Sequence, residues 1–220
     1  MDAWIFANGI ITERDLLQDR IAASSLIIAA DGGLHHIREM GLIPQVLIGD
    51  LDSVSDEDHR WAESREVQIL RYPVDKNETD LELALEYALK SKPEFIRIAG
   101  ATGGRIDQAL GNIFLLMRSD LTDINIRLED GLEEIFLIRK DSEIQGTAGD
   151  IVSLLPLGAP VCGIYTSGLE YSLSGEMLYP DKTRGVSNVM INNLATVRVN
   201  DGVLLCIHTR NGNTRRKYEV

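Results

Sequence analysis

The sequence has little of what marks a secreted, membrane or nucleic-acid-binding protein. It has two cysteines in 220 residues, Cys162 and Cys206. They lack a CxxC spacing, give no metal signature, and read as buried thiols acting as small hydrophobes. No apolar run reaches the length of a membrane span. The N-terminus, Met1-Asp2-Ala3-Trp4-Ile5-Phe6, lacks a basic n-region and is not read as a signal peptide. Basic residues are the minority, 22 against 34 acids, and the net charge of −12 argues against nucleic acid as a partner. These traits predict a cytoplasmic protein. The four histidines show no zinc spacing, and adjacent His35 and His36 are expected to point apart on a helix. There is no GxxxxGK[ST] phosphate loop and no dinucleotide fingerprint.

What is present is an ordinary core and an uneven charge. Hydrophobic residues make up 44%, so disorder is not expected. Residues 1–140 hold 26 acids against 15 bases, whereas residues 141–220 hold 8 against 7. The first 140 residues alternate strand-like and helix-like stretches. Strands are expected at 3–7, 26–30, 45–48, 67–71, 95–99, 125–128 and 134–138. Helices are expected at 14–23, 34–40, 55–65, 80–89 and 106–117. The clearest is 80–89, where Leu81, Ala84, Leu85, Ala88 and Leu89 fall on one face and Thr79-Asp80-Leu81-Glu82 fits a capping box. Alternating units predict an α/β domain with a mostly parallel sheet over residues 1–140. Past Lys140 helical periodicity disappears. Short apolar runs at 151–157, 161–165, 169–173, 189–199 and 203–209 predict a smaller all-β sandwich-like domain over 141–220. Asn200-Asp201-Gly202 reads there as a hairpin-type turn. The basic tail Arg215-Arg216-Lys217 reads as solvated.

The chemistry is expected from acidic, glycine-rich clusters that follow apolar strands. Asp31-Gly32-Gly33 follows 26–30, Gly49-Asp50-Leu51-Asp52-Ser53 follows 46–48, and Gly100 to Gln108 follows 95–99. Asp75-Lys76-Asn77-Glu78-Thr79-Asp80 leads into the strongest helix. In an open α/β sheet, ligands bind outside the carboxyl ends of the strands, so these clusters converge on one crevice. Asp50 and Asp52, at i and i+2 in extended chain, face one side and suit Mg²⁺. Asp75 and Asp80 flank a helix start; Asp80 and Thr79 are also explained as first-turn acid and cap. Lys76 is either a phosphate neutraliser or a solvated lysine. In Thr102-Gly103-Gly104-Arg105 the glycines allow close phosphate approach, Arg105 can stabilise phosphoryl oxygens, and Asp107 can bind metal or orient an acceptor. An acidic site that holds a polyphosphate needs a divalent cation to offset repulsion.

In this order and spacing the clusters resemble the thiamine pyrophosphokinase family. The resemblance spans nearly the whole chain, and Gly185-Val186-Ser187-Asn188 looks like the family's Ser-Asn segment. It implies a homodimer with the active site near the interface, ATP as co-substrate with Mg²⁺, and thiamine as acceptor. Asp50, Asp52 and Asp80 would take the metal-binding roles. Asp75, Thr102, Arg105 and Asp107 would shape the ATP and acceptor site. Asp31, Gly32, Gly33, Lys76, Gly103 and Gly104 would bind nucleotide, and Ser187 and Asn188 would lie near thiamine. Some members carry a second-domain Trp that stacks on thiamine; here Trp4 and Trp61 both lie in the first domain. The implied reaction is diphosphoryl transfer from ATP to thiamine, giving thiamine diphosphate and AMP. The alternatives are another acceptor such as a hydroxymethylpterin, a Mg²⁺-dependent phosphohydrolase, and a nucleotide- or thiamine-binding regulatory module.

Overall fold

A computed structural model describes residues 1–211, so the basic tail segment 215–217 lies outside the described residues. The chain divides into two compact units, Met1–Gly131 and Leu132–Val220. The division falls ahead of residue 140, because the strand at 133–138 belongs to the second unit.

The first unit is built on six parallel strands: β1 (Asp2–Phe6), β2 (Leu26–Ala30), β3 (Val46–Gly49), β4 (Gln68–Arg71), β5 (Phe95–Ala99) and β6 (Asn125–Glu129). They lie in the order β4-β3-β2-β1-β5-β6, each pair parallel. The chain therefore steps outward from β1 to β4, then returns to lay β5 on the other side of β1. That reversal is the topological switch point of the sheet, and it sits between β1 and β5. The apolar runs are continuous rather than alternating because central parallel strands are buried on both faces. Ala3 to Phe6, Ile28 to Ala30 and Val46 to Ile48 are all buried.

Five helices accompany the sheet: α1 (Arg14–Gln18), α2 (Leu34–Glu39), α3 (Asp56–Ser64), α4 (Asp80–Lys90) and α5 (Ile106–Leu115). A 3-10 turn, Asp31–Gly33, runs straight from β2 into α2. α4 packs on β2, β3 and β1 through Leu81, Leu83, Ala84, Leu85 and Ala88. Each fully buried leucine there contributes about 1.5–3 kcal/mol. Half of the expected capping box forms: Thr79 Oγ1 accepts from Glu82 N at 3.2 Å, while the Glu82 carboxylate pairs with Arg118.

The second unit is all β. β7 (Glu133–Ile138), β14 (Leu204–Thr209), β9 (Ile151–Pro156) and β12 (Asn188–Val189) form one antiparallel layer in the order β12-β9-β14-β7. β8 (Asp141–Gln145), β13 (Leu194–Arg198), β10 (Val161–Ser167) and β11 (Ser174–Leu178) form the other. One core joins the layers, with Phe136, Val152, Leu154 and Cys206 from the first and Ile144, Ile164 and Val197 from the second. This is the expected sandwich. Two details differ. Asn200-Asp201-Gly202 is not a hairpin between paired strands, since β13 pairs with β8 and β10 whereas β14 pairs with β7 and β9; the turn carries the chain from one layer to the other. The run 169–173 is not a strand; it contributes only a bridge, Leu169 to Met190.

Candidate active site

The switch point opens into a cavity of about 490 Å³ within the first unit. Its floor is strand ends: Ala7, Asn8 and Gly9 after β1, Ala30 and Asp31 at the end of β2, and Gly100 and Ala101 after β5. Its walls are Ser53 beyond β3, Thr79, Asp80 and Glu82 at the start of α4, and Asp107, Gln108 and Asn112 on α5. Tight backbone approach closes the floor. A β-carbon at Gly9 would lie 2.3 Å from Gly100 O, and one at Gly33 only 1.9 Å from Phe6 O. Only glycine lets these turns come so near one another.

Three acids converge, and the set differs from the expected Asp50, Asp52 and Asp80 in holding Asp31 in place of Asp80. Carboxylate oxygens of Asp31, Asp50 and Asp52 lie within 4.8 Å of one another. Asp31 is 8% exposed, has φ +48°, and its Oδ1 is buried with no hydrogen-bond partner among the described residues. Burial is the chief cause of a raised Asp31 pKa, and the charges of Asp80 and Asp52 push the same way; hydrogen bonds from Gly32 N–H and Ser53 oppose. Asp50 and Asp52 are held by a local turn in which Asp52 N–H donates to Asp50 Oδ1 (3.1 Å), Ser53 Oγ donates to Asp52 Oδ1 (2.9 Å), and Leu51 takes φ +70°. Gly49 makes room between the clusters: a β-carbon there would sit 3.1 Å from both Asp31 Cβ and Asp80 Cγ.

Asp80 stands beside this triad rather than in it. Lys76 Nζ lies 3.0 Å from Asp80 Oδ1 and 3.5 Å from Asp50 Oδ2. Burial works against the Lys76 ammonium, but Asp80 and Asp50 outweigh it and hold the pKa above the usual lysine value. Arg105 forks onto Asp107, Nε to Oδ1 at 3.1 Å and Nη2 to Oδ2 at 2.6 Å. This exposed pair lowers the Asp107 pKa through the Arg105 hydrogen bonds first, helped by Gln108 N–H.

The predicted residues thus divide. Asp31, Asp80, Gly103 and Asp107 line the cavity, and Asp50 and Asp52 join it through the triad with Asp31. Gly32 and Gly33 pack against Asn8 and Phe6 of the β1 end. Thr102 supports the floor, its carbonyl accepting from Ile10 N–H at 2.9 Å. Gly104 and Asp75 are exposed and outside the cavity wall. Ser187 and Asn188 lie in the second unit. Asn188 is clamped to the Tyr171 backbone by bonds of 3.0 and 2.7 Å, and Ser187, at φ +60°, donates its N–H to Ser153 Oγ. The sequence reading missed Asn8 and Gly9, although they follow an apolar run as the other glycine clusters do. It also missed Asn112, whose amide donates to Ala101 O at 2.7 Å.

The donor set fits a hard divalent cation. Three carboxylates share a small volume, and one has a buried oxygen that no protein group satisfies; such an oxygen is costly unless a ligand meets it. Oxygen-only donors suit Mg²⁺.

A parallel sheet with an acidic crevice at its switch point, followed by a β-sandwich, defines a two-domain α/β enzyme. Residues 17–128 match the thiamin pyrophosphokinase catalytic domain, and residues 136–204 match the thiamin pyrophosphokinase vitamin B1 binding domain. Thiamine pyrophosphokinase of Bacillus subtilis is 32% identical, over 84% of this chain and 87% of that protein. Thiamine pyrophosphokinase 1 of Oryza sativa subsp. japonica is 26% identical, over 89% and 82%. The crystal structure of the Bacillus subtilis enzyme superposes with a TM-score of 0.86 at 29% identity, over 96% of this chain and 100% of that one. The chain belongs to the thiamine pyrophosphokinase family.

Proposed function

We propose that the protein transfers the diphosphoryl group of ATP to the hydroxyl of thiamine, giving thiamine diphosphate and AMP. The observation that carries this reading is the Asp31–Asp50–Asp52 triad, with Asp31 lining a crevice floored by glycine turns. Membership of the family supports the reaction and its substrates.

In this reading Asp31, Asp50 and Asp52 hold Mg²⁺, which supplies neutralisation of the polyphosphate charge. The turns at Gly9, Gly100 and Gly103 let phosphate oxygens approach backbone N–H groups. The thiamine hydroxyl oxygen bonds to the β-phosphorus of ATP. The bond from that phosphorus to the oxygen bridging it to the α-phosphorus breaks, and AMP leaves with that oxygen. Asp80, on the wall at the start of α4, takes the hydroxyl proton. Asp107 is not assigned this role, because the Arg105 fork occupies both of its oxygens. Lys76, ion-paired to both, offsets the repulsion between Asp50 and Asp80 before substrate enters. Ser187 and Asn188, held rigid by Ser153 and Tyr171, are the second-domain groups assigned to thiamine.

A homodimer belongs to the same reading. α5 has no buried residue, and Ile106, Leu110, Phe114 and Met117 form an exposed apolar stripe at near-helical spacing. Such a stripe supports cover by a second copy. A cytoplasmic setting also belongs to it: neither cysteine is in a disulfide, and no helix among the described residues is long and apolar enough to cross a membrane.

The test is incubation of purified protein with thiamine, ATP and Mg²⁺, followed by chromatography. Matched amounts of thiamine diphosphate and AMP are expected. AMP without the thiamine product would point to another acceptor or to water, and no turnover would favour a binding module.

A further inference from the structure

A second group of metal-type ligands lies on α2, directly after the Asp31–Gly33 turn. His35 and His36 do not point apart: their ring centroids are 3.7 Å from each other. The 3-10 turn Asp31–Gly33 feeds directly into α2, and each ring is turned back onto a carbonyl. His35 Nδ1 meets Gly32 O at 2.5 Å, and His36 Nε2 meets Gly9 O at 2.8 Å. A carbonyl can only accept, so each of these nitrogens carries the proton. In the neutral rings the lone pairs are therefore on His35 Nε2 and His36 Nδ1.

His36 is 4% exposed, and its Nδ1 is buried with no hydrogen-bond partner among the described residues. With Nε2 committed to Gly9 O, that buried Nδ1 presents a lone pair. Glu39 follows at i+4 from His35 and i+3 from His36, the spacings that bring side chains together on a helix. Each of the three residues offers a ligand atom, and these atoms lie within 4.8 Å of one another. Tetrahedral Zn²⁺ with bonds of about 2.0–2.1 Å spaces its ligands at roughly 3.3 Å, a spacing compatible with three groups confined within 4.8 Å, and three protein ligands leave the fourth position to water.

We infer that His35, His36 and Glu39 form a site for a borderline transition-metal ion of the Zn²⁺ or Co²⁺ class, distinct from the carboxylate triad. Two imidazoles and a carboxylate discriminate against Mg²⁺, which takes oxygen donors. Arg14 is the cation that a metal would have to displace from Glu39, its Nη1 lying 2.6 Å from Glu39 Oε2. The ion would also brace the crevice, since the carbonyls that fix the two rings belong to Gly9 on the cavity floor and Gly32 in the turn after β2.

The test is Co²⁺ titration of the tag-free full chain in excess Mg²⁺, followed by visible absorbance, which separates four-coordinate nitrogen-ligated Co²⁺ from octahedral oxygen-bound Co²⁺. Saturation at one equivalent with four-coordinate bands is expected. His35→Gln and Glu39→Gln, both at partly or fully exposed side chains, should each weaken binding by at least about tenfold. Asp50→Asn should leave the titration unchanged. His36→Gln removes a buried hydrogen bond and can fail to fold, so the two other variants carry the test. No saturable four-coordinate binding, binding unaffected by His35→Gln or Glu39→Gln, or binding lost in Asp50→Asn would each overturn the assignment. None of these readouts depends on turnover.

Discussion

Both units bury carboxylates, and one cluster in the second unit is the opposite of Asp31 in the first. In the second unit His208 is fully buried with Nδ1 2.9 Å from Glu134 Oε1 and Nε2 2.9 Å from Asp150 Oδ2. Arg210 adds a contact to Glu134 Oε2 at 3.1 Å, and Thr147 and Asn211 N–H groups donate to Asp150. Every oxygen of that pair has a partner, so the cluster ties β7, β9 and β14 together and has no capacity left for a ligand. In the first unit Asp31 is buried nearly as deeply, yet its Oδ1 has no hydrogen-bond partner among the described residues. A buried acid is therefore weak evidence for a site, while a buried acid left unsatisfied is strong evidence.

That contrast can be broken experimentally. His208→Leu should have the largest effect, because it strands two buried carboxylates; a loss of about 3–5 kcal/mol is expected in urea unfolding. A mild effect would mean that the closed cluster does not hold the sandwich. Asp50→Asn and Asp52→Asn should do the reverse, lowering kcat/KM by about 100- to 1000-fold while leaving the urea midpoint near wild type. Turnover and Mg²⁺ dependence unchanged in both variants would remove the triad from the chemistry.

Acid titration sharpens the comparison further. The folded-state pKa of Asp31 is raised above 3.8, so its contribution to stability is present below that pH and is lost as pH rises through the folded value. Asp31→Asn should thus raise metal-free stability at neutral pH, and saturating Mg²⁺ should erase the difference. His36 works the other way. Its folded pKa of about 4 lies below the ordinary 6.5, so stability is retained above 6.5 and falls as pH drops toward 4. Unfolding midpoints measured across that interval check it. The smallest change expected is at the α5 stripe: Phe114→Glu should shift the mass from light scattering toward a monomer with little effect on the melting temperature.

Much of the site was legible because its parts are local. Each acidic cluster directly follows a strand or precedes a helix, so the strand-end rule gathers Asp31, Asp50, Asp80 and Asp107 without coordinates. What escaped depends on pairing or on distorted geometry. β8, Asp-Ser-Glu-Ile-Gln, has one apolar residue, and β11, Ser-Gly-Glu-Met-Leu, begins polar; their neighbours make them strands, not their own pattern. β7 reads locally like β6, and only its antiparallel partner β14 assigns it to the second unit. The histidine pair was misread because regular helical spacing separates adjacent residues, whereas the 3-10 turn and two carbonyl contacts swing these rings together.

The close approach at Gly33 bears on how such a protein tolerates variation. The β-carbon of even an alanine would collide with Phe6 O. Substitution there has no conservative form, because the obstacle is the backbone of β1 rather than a side chain that could swing away. A saturation library scored on growth would rank position 33 with the aspartates, although it offers no group to any substrate. Only a second score for folded abundance would separate this glycine, which loses protein, from the acids, which lose turnover.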